Sequence, residues 1–141
     1  QAAVGLAQLE CLDEYLEKKR RIGRQYNQFF ESLRGAQLPV AQTDYAENIY
    51  WVYGVVLENS VPFNAGEAMH RLKKLGIGCR PFFYPMHEQP ILKKMGYFAD
   101  EKYPVAENLY QRGFYIPSGL ALSIDKISRV ASGLHKILAE K

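Results

Sequence analysis

The sequence predicts an α/β fold, a small sheet faced by helices with a long helix leading into it. Three observations carry this expectation. Across residues 2–34 apolar side chains recur at spacings of three and four where the register is filled (Leu9, Leu12, Leu16, Tyr26, Phe30, Leu33), as one face of a helix requires. "NIYWVYGVVLE", residues 48–58, alternates with period two, placing Ile49, Trp51, Tyr53, Val55 and Leu57 on one face. Its other face (Tyr50, Val52, Val56) is also apolar, so the strand is covered on both sides. Helix and strand signals then alternate to the end of the chain.

The elements follow in order. The first helix carries a second stripe, Cys11, Tyr15, Ile22 and Phe29, and Gly35 follows it as a stop signal. At 1.5 Å per residue it is about 50 Å long, more than a domain of this size covers alone. The charged run "EKKRRIGR" in its middle reads as a solvated face. Asn64 caps a helix with Glu67 at capping-box spacing, Met69, Leu72 and Leu75 facing inward and Gly76 at its end. "IGCRPFF" reads as a second strand. A helix from Pro104, a residue type favoured at the first helical position, runs to Arg112 and stops at Gly113. "FYIPSGLALS" is a third short strand and a turn. Ser123 caps a last helix that buries Ile127, Val130, Leu134 and Ile137. No repeat, low-complexity tract or linker interrupts residues 1–141, which read as one domain: a leading helix over 1–35 and an α/β body over 36–141.

Composition excludes several classes of function. A hydrophobic content of 48% and a charged content of 23% are those of an ordinary globular domain. A net charge of +3 is too small to argue for nucleic acid. The longest uncharged stretches run about ten residues, short of the roughly twenty that span a bilayer, so no membrane association is expected. Cys11 and Cys79 match no disulfide framework or metal spacing and read as buried thiols. With no Asn-X-Ser/Thr acceptor, they fit a reducing cytoplasm. Residue 1 already lies in the helical pattern with no signal sequence before it, so the chain reads as cut from a larger protein. Ten tyrosines, apolar in body and polar at the tip, point to contact surfaces.

Chemistry-bearing residues are few. His70, His87 and His135 are dispersed, with no second ligand at helical spacing; His70 and His135 read as surface residues. "PSGLA" lacks the glycine pattern of a nucleophile elbow, which makes Ser118 a turn residue. No phosphate loop or dinucleotide fingerprint is present. The lysines lie in adjacent pairs on amphipathic stretches, beside carboxylates or near the chain end. None sits in the apolar setting that an imine-forming lysine needs. What remains is "GCRPFFYPMHEQP", residues 78–90, whose three prolines disfavour an ordinary helix and make a stiff loop leaving a strand. Arg80 offers a planar fork to a phosphate or carboxylate. Phe82, Phe83 and Tyr84 offer rings for stacking, and His87 and Glu88 add polar groups. A nucleotide or phosphate compound suits this loop; an aromatic plug over the core is the competing reading.

Four stretches, "QAAVGLAQLECLDEYLEKKRRIGRQYN", "ENIYWVYGVVL", "LGIGCRPFFYPMHEQP" and "AENLYQRGFYIPSGLALS", resemble the C-terminal portion of the DegT/DnrJ/StrS sugar aminotransferases, perosamine synthetase-type enzymes in particular. The resemblance runs over essentially all 141 residues. It implies the small C-terminal domain of the type I aminotransferase fold, with a mainly antiparallel sheet and an interdomain helix over 1–35. It also implies transfer of an amino group from glutamate to a keto nucleotide sugar, with pyridoxal phosphate (PLP) as cofactor. The family's cofactor-linking lysine falls upstream of residue 1, so this chain alone is expected to bind no PLP and to be inactive. The implied partners are the nucleotide-sugar substrate, an upstream catalytic domain and a second copy in a homodimer. By position in the matching loop, Arg80, Tyr84 and His87 are the implied substrate contacts; Phe82 and Phe83 either join them or pack the domain. A standalone binding module and a nucleic-acid-binding basic helix are the alternatives.

Overall fold

The computed structural model describes residues 1–99 and 101–140. Two helices open the chain, α1 (Ala2–Glu10) and α2 (Leu12–Phe29), where the periodicity predicts one helix to residue 34. The break falls at Cys11, whose φ of −107° and ψ of 8° leave helical geometry. Burial differs across it: α1 buries no residue, whereas α2 buries Ile22, Gly23 and Tyr26. Gly35 keeps the left-handed φ of +84° expected of a stop residue, but the helix has already ended at Phe29, and Gly35 leads into β1 (Ala36–Gln37).

The strand predicted over 48–58 is confined to β2 (Tyr53–Leu57). Tyr50 ends the extended run with a φ of +51°, held by its own N–H donating to Asn48 Oδ1 at 2.7 Å. Ile49 and Trp51 are consequently exposed rather than covered. β2 is followed by α3 (Ala65–Lys74), β3 (Arg80–Pro81), a single 3₁₀ turn (Met86–Glu88), α4 (Pro90–Lys94), α5 (Pro104–Arg112), β4 (Gly113–Ile116) and α6 (Ile124–Ala139). Both predicted caps are present: Asn64 Oδ1 accepts the Glu67 N–H at 3.0 Å and Ser123 Oγ that of Lys126 at 3.4 Å.

The sheet runs β1-β2-β4-β3 with every neighbour antiparallel. Tyr53, Val55 and Leu57 of β2 and Phe114 and Ile116 of β4 share one face and are buried there with Tyr26, Leu72, Ile127 and Leu134 of the helices. Tyr53 donates to Asn27 Oδ1 and Tyr26 to the Pro117 carbonyl, both at 2.6 Å, so the two buried phenols are satisfied. Burial holds both hydroxyls above their ordinary value of 10.0 and pushes the Cys79 thiol from 9.0 up to about 11. Each group therefore keeps its proton in the fold at a pH where the unfolded chain has lost it. Stability is fully present below the unfolded values and falls as pH rises past them. Urea midpoints are expected to hold to about pH 8, decline from about pH 9 as Cys79 enters, and steepen above about pH 10, each group adding up to about 1.4 kcal/mol per pH unit. Tyr53→Phe should flatten the upper part of that decline.

The apolar residues Val4, Leu6 and Leu9 of α1 are 59–68% exposed. Apolar area of this extent draws a partner, and the 141-residue chain on its own is expected to self-associate. Sedimentation as a monomer at high concentration would contradict this.

Candidate functional site

Sheet register sets where the loop over 78–90 begins. Arg80 lies opposite Tyr115 and Pro81 opposite Phe114. Opposed residues of an antiparallel pair share a face. Phe114 is fully buried on the core face, so Arg80 leaves from the outer face beside Tyr115, where it is exposed. Among the described residues Arg80 makes no ion pair. Glu88, its nearest carboxylate in the loop, is taken by Lys93 at 2.6 Å, and that hydrogen bond holds the Glu88 carboxyl below its ordinary value.

The three aromatics that follow divide. The Phe82 ring covers Gly54 and Gly113, where an added Cβ would meet it at 3.1 and 2.4 Å, and it lies 4.5 Å from the Tyr115 ring. Phe82 is a packing residue of the outer face. Phe83 is 78% exposed. Tyr84 meets Tyr110 of α5 edge-on at 4.9 Å and keeps 43% of its surface open.

His87 is 6% exposed, in the 3₁₀ turn that the prolines permit. Its Nε2 lies 3.1 Å from Glu107 Oε1 on α5 and 3.8 Å from Glu88 Oε1. The same Glu107 oxygen accepts the Tyr103 N–H at 3.2 Å, and the Tyr103 ring is 4.8 Å from the imidazole. Tyr84 and His87 thus rest on residues one turn apart on α5. Arg80 joins neither through a hydrogen bond or ion pair among the described residues. His87, Glu88 and Glu107 also flank an open cavity of about 590 Å³ with Lys93, Tyr97 and Lys102 on its walls; Arg80 and Tyr84 lie outside it.

The sequence contains no local metal spacing, yet the fold brings one ligand atom each of His87, Glu88 and Glu107 within 4.8 Å of one another. Lys93 donates to the Glu88 carboxylate and the Tyr103 amide to that of Glu107, so the trio is part of a hydrogen-bonded network. His70 is exposed, as expected. His135 is not a plain surface residue: it is half-buried, with Nε2 2.9 Å from the Phe29 carbonyl, and ties α6 to the end of α2.

Among the described lysines, seven are exposed and Lys18 pairs with Glu14. Lys19 departs from the expectation that no lysine has an apolar setting. It is half-buried in a groove of about 420 Å³ beside Tyr15, Leu16, Trp51 and Leu120, and burial lowers its pKa. Its ammonium is held by the Ser118 carbonyl at 2.5 Å and Oγ at 3.4 Å, which fastens the turn after β4 to α2. Cys79 is half-buried against the core, and Cys11 stands half-buried at the helix break. Among the described residues no helix is long and apolar enough to cross a membrane.

The small antiparallel sheet packed by helices matches a fragment of the fold seen in solved sugar aminotransferases. The H. pylori aminotransferase PseC, involved in the biosynthesis of pseudoaminic acid, superposes with a TM-score of 0.88 over 100% of this chain and 37% of its own, at 16% identity. The aminotransferase TlmJ from Streptoalloteichus hindustanus superposes with a TM-score of 0.83 over 99% of this chain and 36% of its own, at 24% identity. The model of the DegT/DnrJ/EryC1/StrS aminotransferase family matches residues 1–135, and the chain belongs to that family. A GDP-perosamine synthase from Caulobacter vibrioides is 33% identical over 140 residues, 98% of this chain. The chain spans 36% of that relative's length.

Proposed function

We propose that the chain is the C-terminal portion of a PLP-dependent aminotransferase that moves an amino group from glutamate to a keto nucleotide sugar, and that it supplies part of the sugar pocket. The observation that carries this reading is the loop after β3. It offers an exposed guanidinium without an ion-pair partner among the described residues, then a half-open tyrosine, then a buried histidine fixed to α5.

In this reading Arg80 clamps the diphosphate through its two-pronged fork. Tyr84 packs on a ring of the substrate, and His87 contacts a sugar hydroxyl. The loop is stiff because three prolines and α5 hold it, so little entropy is lost on binding. PLP supplies the amino-transfer chemistry and is held by residues outside this chain. Helices α1 and α2 join this domain to that upstream catalytic part, and the exposed apolar side of α1 rests on it or on a second copy in a homodimer. The enzyme works in the cytoplasm, where half-buried free thiols persist.

Absorbance of the full-length enzyme tests the reading. Glutamate should convert the bound PLP spectrum to that of the aminated cofactor, and a keto nucleotide sugar should restore it. The 141-residue chain should show neither change. A full-length protein that binds nucleotide sugars but never responds to glutamate would be a binding module instead.

A further inference from the structure

We propose that Glu107 is the positioning residue of the sugar-binding loop and acts through His87; the inference rests on the reading of that loop given above. A carboxylate is acceptor-only when ionised, so the 3.1 Å contact between Glu107 Oε1 and His87 Nε2 needs the proton on Nε2. In the neutral ring that leaves Nδ1 as an acceptor. Nδ1 has no hydrogen-bond partner among the described residues, so it is the ring nitrogen left to accept one. A sugar hydroxyl can donate to it.

Glu107 is itself held. Its Oε1 accepts the Tyr103 N–H at 3.2 Å, at the start of α5, which anchors the carboxylate to a helix rather than to a loop. Glu88 Oε1 is more distant from Nε2, at 3.8 Å, and Lys93 holds the other oxygen of that carboxylate at 2.6 Å, so Glu107 alone sets the tautomer. The Tyr103 ring, 4.8 Å from the imidazole, limits its rotation. Glu107 therefore decides which nitrogen His87 shows to the substrate and where it points.

The test is a double-mutant cycle in the full-length enzyme. Glu107→Gln keeps an acceptor for the Tyr103 amide but no longer dictates the tautomer. It should weaken keto nucleotide-sugar binding about tenfold while the glutamate half-reaction is unchanged. Side-chain ¹⁵N shifts of His87 should report Nε2–H in the wild type and a mixture in Glu107→Gln. In a His87→Ala background the Glu107→Gln change should cost no further affinity. Additive losses, or His87→Ala weakening sugar binding while Glu107→Gln does not, overturn the positioning role and leave the loop reading standing. If His87→Ala and Arg80→Lys both leave sugar affinity unchanged, the loop reading falls and this inference with it.

Discussion

Arg112→Met is expected to destabilise the domain by about 3–4 kcal/mol, a large part of the roughly 5–15 kcal/mol that holds a domain together. Arg112 is the last residue of α5, and its guanidinium donates to four carbonyls, that of the last residue of β2 and three in the chain leading from it to α3. Nε reaches Leu57 O at 3.2 Å, Nη1 reaches Phe63 O at 2.9 Å, and Nη2 reaches Val61 O at 3.0 Å and also Glu58 O. Methionine preserves the apolar stem but leaves those carbonyls to find water. A charged donor is worth about 1.5–3 kcal/mol per hydrogen bond, and partial rehydration of the loop offsets some of the sum. Chemical denaturation checks the value, and Arg112→Lys should fall in between. A loss below about 1 kcal/mol would mean that the loop is held by its own turns.

Gly23→Ala is expected to cost about 2–3 kcal/mol although alanine is the better helix former by about 1 kcal/mol. An added Cβ at Gly23 would lie 2.3 Å from the Tyr50 ring. That ring is 4% exposed, stacks on Tyr53 at 5.9 Å, and its hydroxyl accepts from Asn27 Nδ2 at 3.0 Å. The ring has to leave, and it takes the hydroxyl contact with it. Gly5→Ala on α1 is the internal control. Nothing lies within 4 Å of its added Cβ, so the same change there should stabilise by up to about 1 kcal/mol. Thermal melts of the two variants should shift in opposite directions.

Local signals explain which parts of the fold could be read beforehand. The Asn64 and Ser123 caps, the Pro104–Arg112 helix and the buried face of α6 each depend on residues within a turn or two of one another. The helix over 2–34 was over-extended because periodicity reports which residues could face a core, and nothing in the described chain covers α1. The strand over 48–58 was over-extended because Asn48 turns the chain at Tyr50, a side-chain effect that alternation does not register. β1 and β3 are two residues each and exist only through their partners. In the site, the loop was visible from its prolines and aromatics. Its supports were not: Glu107 lies twenty residues from His87, and Tyr110 and Tyr115 read as ordinary helix and strand residues. Lys19 was missed for the same reason, since Ser118 is ninety-nine residues away.

The central claim is that the loop after β3 serves the nucleotide sugar rather than the fold, and Arg80 tests it most directly. In the full-length enzyme Arg80→Lys keeps the charge and loses the two-pronged geometry. The dissociation constant of the keto nucleotide sugar should rise by an amount equivalent to about 1–3 kcal/mol, while the glutamate half-reaction, which involves no diphosphate, is unchanged. A variant with unaltered sugar affinity and a lowered melting temperature would make Arg80 a structural residue and contradict the account.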